Sequence, residues 1–136
     1  MSVLRAVVDT NVLVSAALNP DGAPACVVIA AGRGVFVPVV TRTILSEYAE
    51  VLSRPHFGFS ARVIADVLSP FRDDAMAVDP PPADIPALPV PDDWPFIAAA
   101  RIAHCPVITG NARHFPAEAG VEAVSPAEWL AKLGTV

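Results

Sequence analysis

Segments typical of β-strands alternate with segments typical of α-helices along the whole chain. Short apolar and β-branched runs predict strands at residues 5–8, 35–40, 106–109 and 121–124. Helical spacing of apolar residues, small-residue runs and capping residues predict helices at residues 11–18, 23–31, 42–54, after Ser60, at 96–104 and after Ser125. This alternation predicts an α/β fold, a three-layer α/β/α sandwich with a mostly parallel central sheet.

The length and composition fit a single compact domain over residues 1–136. Hydrophobic residues make up 54% of the chain and charged residues 17%, so a sizeable core can form. The segment 79–91 carries six prolines, which exclude regular structure there. Because that segment is short and interrupted by apolar residues, it predicts an extended connection across the domain surface rather than a linker between domains.

The charge balance excludes one class of nucleic-acid binder. The net charge is −5, which argues against a protein held to nucleic acid by a bulk positive field but not against a metal-dependent nuclease. The residues before Asp9 lack a signal-peptide pattern, and no apolar run reaches the ~20 residues of a membrane span. Cys26 and Cys105 have apolar neighbours in the sequence and no metal-type spacing, so we predict buried thiols. We therefore expect a cytoplasmic protein with no membrane contact.

Polar residues cluster where the predicted strands end. In parallel α/β sheets the functional crevice lies beyond the carboxyl ends of the strands, so residues there are the first functional candidates. Four separated segments supply them: Asp9 with the supporting Asn11, Glu47, Asp92 with Asp93, and Asn111 with the supporting Thr109.

Glu47 has the strongest individual claim to a functional role. At ~100° per residue, Glu47 lies at the edge of the apolar stripe of its predicted helix, whereas Glu50 points nearly opposite. A carboxylate beside an apolar face needs a partner, so the position of Glu47 requires an explanation that the position of Glu50 does not.

The grouped oxygens suit one kind of chemistry, the hydrolysis of phosphodiesters with a divalent metal. Taken singly, Asp9 could be a turn or N-cap residue, Asp92 and Asp93 an ordinary helix start, and Asn111 a loop former. Together they match the hard oxygen ligands that Mg²⁺ or Mn²⁺ prefers. A bound cation would also relieve the mutual repulsion of the carboxylates.

Three segments resemble the motifs of PIN-domain ribonucleases. They read VVDTNVLVSA at residues 7–16, DDWPFIA at 92–98 and ITGNARHF at 108–115. The closing VSPAEWL at 124–130 fits the same order and spacing, so the resemblance covers essentially the whole chain. Within this family the chain is most similar to VapC-like toxins of toxin–antitoxin pairs. The resemblance implies a single-stranded RNA endonuclease that uses Mg²⁺ or Mn²⁺, commonly forms a homodimer and is silenced by a cognate antitoxin.

The same resemblance assigns roles residue by residue. Asp9 matches the first metal-binding aspartate and Glu47 the helix glutamate, while the third acid falls on Asp93 or Asp92. Asn111 stands where many members carry a fourth aspartate. Its amide oxygen can coordinate a metal but adds no charge, so the effect of this departure on activity stays open.

The remaining candidates concern RNA binding. Arg113 and His114 follow Asn111 and are candidate contacts to the RNA backbone, because basic side chains of this kind bind phosphate oxygens. The alternative, which the sequence favours for this pair, is an ordinary solvated loop. Phe57 and Phe59 could either stack on a base or anchor their loop to the core.

Three functional hypotheses compete, and the first is the metal-dependent ribonuclease. The second is another phosphotransfer domain, which fits poorly. A haloacid-dehalogenase-like enzyme would need a second Asp where Asn11 stands, and a receiver domain would need a lysine after a late strand, whereas Lys132 lies in the last predicted helix. The third is a non-catalytic interaction module with a degenerate nuclease fold, which Asn111 supports.

Overall fold

Five parallel strands form the central sheet of the protein. In a computed structural model, which describes residues 4–73, 75–78, 93–116 and 120–134, the strands are β1 (Arg5–Val8), β2 (Val37–Val40), β3 (Met76–Ala77), β4 (Val107–Ile108) and β5 (Ala123–Val124). Their order across the sheet is β3-β2-β1-β4-β5, and every neighbouring pair is parallel. The first strand in the sequence therefore lies at the centre of the sheet.

Six helices of the described residues flank the sheet and give the three-layer α/β/α fold that the alternation predicted. They are α1 (Thr10–Leu18), α2 (Ala23–Gly32), α3 (Arg42–Leu52), α4 (Ala61–Asp73), α5 (Trp94–Ala103) and α6 (Pro126–Leu133). Short 3-10 helices at Pro55–Phe57 and Ala112–His114 lie in two of the loops.

The central strand anchors the core. Ala6, Val7 and Val8 of β1 are completely buried, as expected for a parallel strand covered on both faces. Val8 of β1 pairs with Ile108 of β4, so the residues that follow the two strands are neighbours at one edge of the sheet. The sheet register thus brings together residues that are about 100 positions apart in the sequence.

Local capping signals in the sequence are confirmed. The Thr41 hydroxyl accepts a hydrogen bond from the Ile44 amide at 3.1 Å and begins α3. Ser125 and Glu128 form a reciprocal capping box at the start of α6. The Ser60 hydroxyl likewise accepts from the Val63 amide at the start of α4.

The element boundaries differ from the predictions where loops compete with regular structure. β2 begins at Val37 rather than at residue 35, and α3 ends at Leu52, two residues before the predicted end. The strand β3 was not predicted, because two exposed residues at the sheet edge carry no periodic pattern. The predicted extended connection at 79–91 lies outside the described residues.

One prediction about the cysteines is wrong. Cys26 is exposed, because it lies on the outer side of α2, a helix whose apolar composition gives no hint of which side faces solvent. Cys105 is partly buried, and this burial raises its pKa to about 11.

Within the described ranges, no single helix is long and apolar enough to cross a membrane. The helices α1 and α2 reach that length and hydropathy only as a pair, and they are bent by 106° at the break between them.

The Thr41 cap provides a test of local stability. We expect Thr41→Ala to lower the free energy of unfolding by about 1 kcal/mol, because the Ile44 amide loses its side-chain acceptor. Chemical denaturation measures this change. Thr43→Ala is the matched control, since Thr43 is an exposed threonine of the same helix. Equal effects of the two substitutions would contradict the assigned role of Thr41.

Candidate active site

Asp9 lies at the carboxyl end of the central strand. Its backbone amide donates to the Ile108 carbonyl at 2.8 Å, and its carbonyl accepts from the Val12 amide at the start of α1. These two bonds fix the backbone at the point where the chain changes from strand to helix. The Asp9 side chain is only 5% exposed, and its Oδ2 atom accepts a hydrogen bond from the Thr109 hydroxyl at 2.8 Å.

The buried position of Asp9 changes the pKa of its carboxyl group. Burial raises the pKa, because it removes water from the ionised form. Hydrogen bonds from the Thr109 side chain and the Thr10 backbone, together with the nearby His114, oppose this shift without cancelling it. An ionised Asp9 therefore carries a desolvation cost that a nearby cation would relieve.

A chain of polar contacts runs from Asp9 to Asp93. The Thr109 hydroxyl, which donates to Asp9, accepts a hydrogen bond from the Asn111 backbone amide at 3.0 Å. The Asn111 Nδ2 atom lies 2.9 Å from His114 Nε2, and His114 Nδ1 lies 3.1 Å from Asp93 Oδ2. The loop after β4 thus joins two buried aspartates, of which Asp93 is 8% exposed.

Glu47 reaches the same strand end from α3. The Thr10 hydroxyl, next to Asp9 in the chain, donates a hydrogen bond to the Glu47 carboxylate. The side chain is half-buried, which agrees with its position at the edge of the apolar stripe. Glu50 is exposed and pairs with Arg54 at 3.0 Å, so it has the ordinary surface role expected from the sequence.

Tyr48 is a site residue that sequence reasoning missed, because its position in the apolar stripe of α3 indicated only core packing. The side chain is completely buried, and its hydroxyl donates to the Val8 carbonyl, directly before Asp9. Burial and then the negative charges of Asp9 and Glu47 raise the Tyr48 pKa well above its usual value. The tyrosine therefore stays a neutral donor, and both carboxylates act on it electrostatically.

The structure brings most of the predicted residues to one edge of the sheet. Asn11 belongs to this group, because its Oδ1 atom accepts from the Gly110 amide at 3.2 Å and ties α1 to the loop after β4. Asp92 lies outside the described residues. Arg113 is exposed in the adjoining 3-10 helix. Both ring nitrogens of His114 contact protein atoms, so the ring would have to release one of them to hydrogen-bond RNA.

The aromatic residues near Pro55 form a stack of their own. The rings of Phe57 and Phe59 are nearly parallel, and their centroids are 5.2 Å apart. The ring centroids of His56 and Phe57 are 4.2 Å apart. Phe59 packs against the core, which agrees with the alternative that the pair anchors its loop.

The donor atoms suit a hard divalent cation. Asp9, Glu47 and Asp93 supply carboxylate oxygens, and Asn111 can supply an amide oxygen. In the part of the chain that the structure describes, no three His, Cys, Asp or Glu side chains are grouped to hold a metal ion. Mg²⁺ is usually held by one or two carboxylates and several waters, so a preformed cage of three is not needed. The buried, desolvated carboxylate of Asp9 makes it the first candidate ligand.

Comparison with known proteins identifies the family. The PIN domain model matches residues 5–113, which is most of the chain, and the chain therefore belongs to the PIN domain family. PIN domains are generally nucleases and typically use divalent metals, so the fold is that of a nucleic-acid hydrolase. A comparison with curated proteins finds no match.

The buried charge of Asp9 provides a test of the site without any substrate. Because the folded protein raises the Asp9 pKa, ionisation of this group lowers stability as the pH rises through the folded-state pKa. Below the pKa of the unfolded chain this loss is absent. We therefore expect Asp9→Asn to raise the free energy of unfolding of the metal-free protein at neutral pH, with a gain that shrinks in acid. Urea denaturation across a pH series measures both effects.

Asp21→Asn is the control, because Asp21 is an exposed residue of the turn between α1 and α2. It should change stability little at any pH. If Asp9→Asn were less stable than wild type at neutral pH, the ionised carboxylate would be stabilising the fold, and the expected desolvation cost of Asp9 would be wrong.

Proposed function

We propose that this PIN domain is a metal-dependent endoribonuclease that cleaves single-stranded RNA. The observation that carries the proposal is the polar network at the carboxyl end of the sheet, where Asp9 is linked through Thr109, Asn111 and His114 to Asp93. Glu47 joins the network through Thr10. Elements far apart in the sequence thus direct acidic groups to the point where α/β enzymes bind their ligands.

Asp9, Glu47 and Asp93 are the proposed ligands of Mg²⁺ or Mn²⁺, and the amide oxygen of Asn111 is a fourth candidate. Asp92 remains the alternative metal ligand to Asp93 that the sequence offers. When bound, the divalent ion would polarise the phosphoryl oxygen and help to generate the nucleophile from water. The hard oxygen set and the desolvation of Asp9 support this assignment.

The chain's own residues have positioning roles in this proposal. The Thr109 hydroxyl donates to the Oδ2 atom of Asp9 and so restricts the rotation of that carboxylate. The Thr10 hydroxyl orients Glu47. The neutral Tyr48 hydroxyl fixes the strand end directly before Asp9. Such hydrogen bonds reduce the motion of the acids before substrate arrives, as the partners of metal ligands commonly do.

RNA as the substrate is supported by the resemblance of the three motifs to PIN-domain ribonucleases. The net charge of −5 favours a mode of binding in which the metal supplies much of the attraction for phosphate. The exposed Arg113, beside the site, is the proposed protein contact to the RNA backbone. His114 could contact the RNA backbone as well only after breaking its contact with Asp93 or with Asn111.

We further propose that the protein is the toxin of a type II toxin–antitoxin pair, forms a homodimer and binds a cognate antitoxin. The similarity of its motifs to VapC-like toxins supports the role as the toxin of such a pair. Exposed apolar side chains also lie on three helices that contact one another: Leu18 on α1, Ile29 on α2 and Val63 on α4. The cytoplasm is the proposed compartment.

A second candidate function is a non-catalytic interaction module that retains the fold. Asn111 favours it, because a neutral amide where many relatives carry an acid removes one negative charge from the site. Absence of both metal binding and cleavage in the purified protein would favour this candidate.

Two glutamates of one helix provide the test of the nuclease. We expect Glu47→Gln to reduce Mn²⁺-dependent cleavage of single-stranded RNA by about 10- to 100-fold or more, because a proposed ligand loses its charge. A loss of this size is typical of a disturbed metal site. The measurement is the initial rate of cleavage of a labelled RNA with Mn²⁺ and with a chelator.

Glu50→Gln is the matched control, since Glu50 lies on the same helix but is exposed and paired with Arg54 at 3.0 Å. It should cleave at the wild-type rate. Cleavage that persists in chelator, or that survives Glu47→Gln unchanged, would reject the proposed mechanism.

A further inference from the structure

A cavity lies at the amino ends of the strands, at the opposite edge of the sheet from Asp9. Its volume is about 700 Å³, and it is formed by the residues before β4 and β5 together with the last turns of α5 and α6. A smaller cavity of about 170 Å³ adjoins it, because the two share His104, Cys105, Pro106 and Lys132. Small-molecule sites in proteins are commonly of roughly 300–1,000 Å³, so this cavity has a suitable size.

Basic side chains dominate the charged part of the lining. Arg101, His104 and Lys132 are basic, whereas Glu122 is the one acid among the described residues that form the larger cavity. The whole chain has 14 acidic residues against nine lysines and arginines, so the lining reverses the balance of the chain. His104 and Lys132 are exposed, which leaves their polar groups accessible from solvent.

The helix ends explain part of this cluster, but they do not explain His104. Arg101 and Lys132 lie in the last turns of α5 and α6, where positive side chains complement the helix dipole. His104 follows α5 with a φ of 52°, and within the described ranges it is the one residue other than glycine with a positive φ. Glycine adopts this conformation without the steric cost that a side chain adds. Because His104 is exposed, little packing offsets that cost, and an outlier of this kind points to a function.

Two of the basic side chains are held in place by aromatic rings. The Arg101 guanidinium lies 5.4 Å from the centroid of the Trp94 ring, and the Lys132 ammonium lies 5.7 Å from that of Trp129. These contacts restrict the side chains and leave their charge intact, because the rings are neutral. Gly120 allows the close approach of Arg101 to the loop before β5, since a Cβ atom there would lie 3.2 Å from Arg101 Nη2.

The wall of the smaller cavity contains a buried donor. Trp129 is 1% exposed, and its Nε1 atom has no hydrogen-bond partner among the residues that the structure describes. An N–H group without an acceptor leaves its positive partial charge in the wall, where such groups are normally paired. The formal charges and this partial charge therefore favour the same kind of ligand, an anion.

We propose that this cavity binds a small phosphorylated organic molecule of nucleotide size. Arg101, His104 and Lys132 come from separate elements, and together they match the several oxygens and the charge near −2 of a phosphate monoester. The uncharged remainder of the ligand would lie on the apolar part of the lining, formed by Ala100, Pro106 and Val121. The site is separate from the proposed metal site and does not depend on the nuclease activity.

The two cysteines provide a test of where a ligand binds. Cys105 lines the cavity, whereas Cys26 is exposed on α2 and is not part of the lining, so it serves as an internal control. The probe is 5′-AMP in the presence of a chelator, so that no divalent ion carries the phosphate to Asp9. We expect AMP to slow the modification of Cys105 by a thiol reagent and to leave the rate at Cys26 unchanged. Adenosine, which lacks the phosphate, should protect neither thiol at the same concentration.

Charge variants test the chemistry of binding, with AMP affinity measured by calorimetry. We expect Lys132→Gln to weaken binding by about two- to fivefold and Glu122→Gln to strengthen it by a similar factor, the range of an exposed ion pair. Arg72→Gln is the matched control, because Arg72 is an exposed residue of α4 and its loss changes the net charge equally. It should bind AMP as wild type does.

His104→Gly separates binding from stability. Glycine relieves the positive φ of residue 104, so we expect a higher midpoint of thermal unfolding together with weaker AMP binding. A merely structural histidine would not lose affinity in this variant. Unchanged affinity in His104→Gly would therefore overturn its assignment to the site.

Four results would overturn the proposal as a whole. They are no binding at millimolar AMP, binding that leaves Cys105 unprotected, equal protection by adenosine, and equal losses of affinity in Lys132→Gln and Arg72→Gln. The outcome is independent of the proposed nuclease. A protein that binds AMP in the cavity but cleaves no RNA would support this inference and reject only the proposed function.

Discussion

The burial of the Asp9 carboxylate at the end of the central strand is the constraint on which the site depends. The strand β1 is covered on both faces, and the chain leaves it directly into α1, so the Asp9 side chain cannot turn freely to solvent. An ionised carboxylate in such a place requires donors or a cation. The polar residues around Asp9 supply such donors.

The protein supplies the donors with neutral groups rather than with positive side chains. The Thr109 hydroxyl bonds to Asp9, the Thr10 hydroxyl bonds to Glu47, and the Tyr48 hydroxyl holds the carbonyl of the preceding strand residue. Neutral donors orient the acids and leave their negative charge available. This arrangement is suited to the divalent cation of the proposed function, whereas an arginine at the same place would neutralise the site.

The sequence was sufficient to predict the fold and the meeting of polar residues at the carboxyl ends of the strands. Alternating strands and helices gave the α/β class, and the rule about carboxyl strand ends selected Asp9 and Thr109, which the structure places in contact. The connections between acids could not be predicted, because they depend on side-chain rotamers and on the sheet register. Tyr48 and His114 show the difference, since one had the pattern of a core residue and the other that of a solvated loop residue. The edge strand β3 was missed because its two residues carry no periodic signal.

The proposed activity requires separated acidic residues to converge on one divalent cation. A crystal structure of the protein with Mn²⁺, with the metal located by its anomalous scattering, shows whether they do. We expect one Mn²⁺ peak at the carboxyl end of β1, coordinated by Asp9 and by at least one of Glu47 and Asp93. A Mn²⁺ ion bound elsewhere at saturating concentration, with Asp9 still hydrogen-bonded only to protein, would contradict the proposed site.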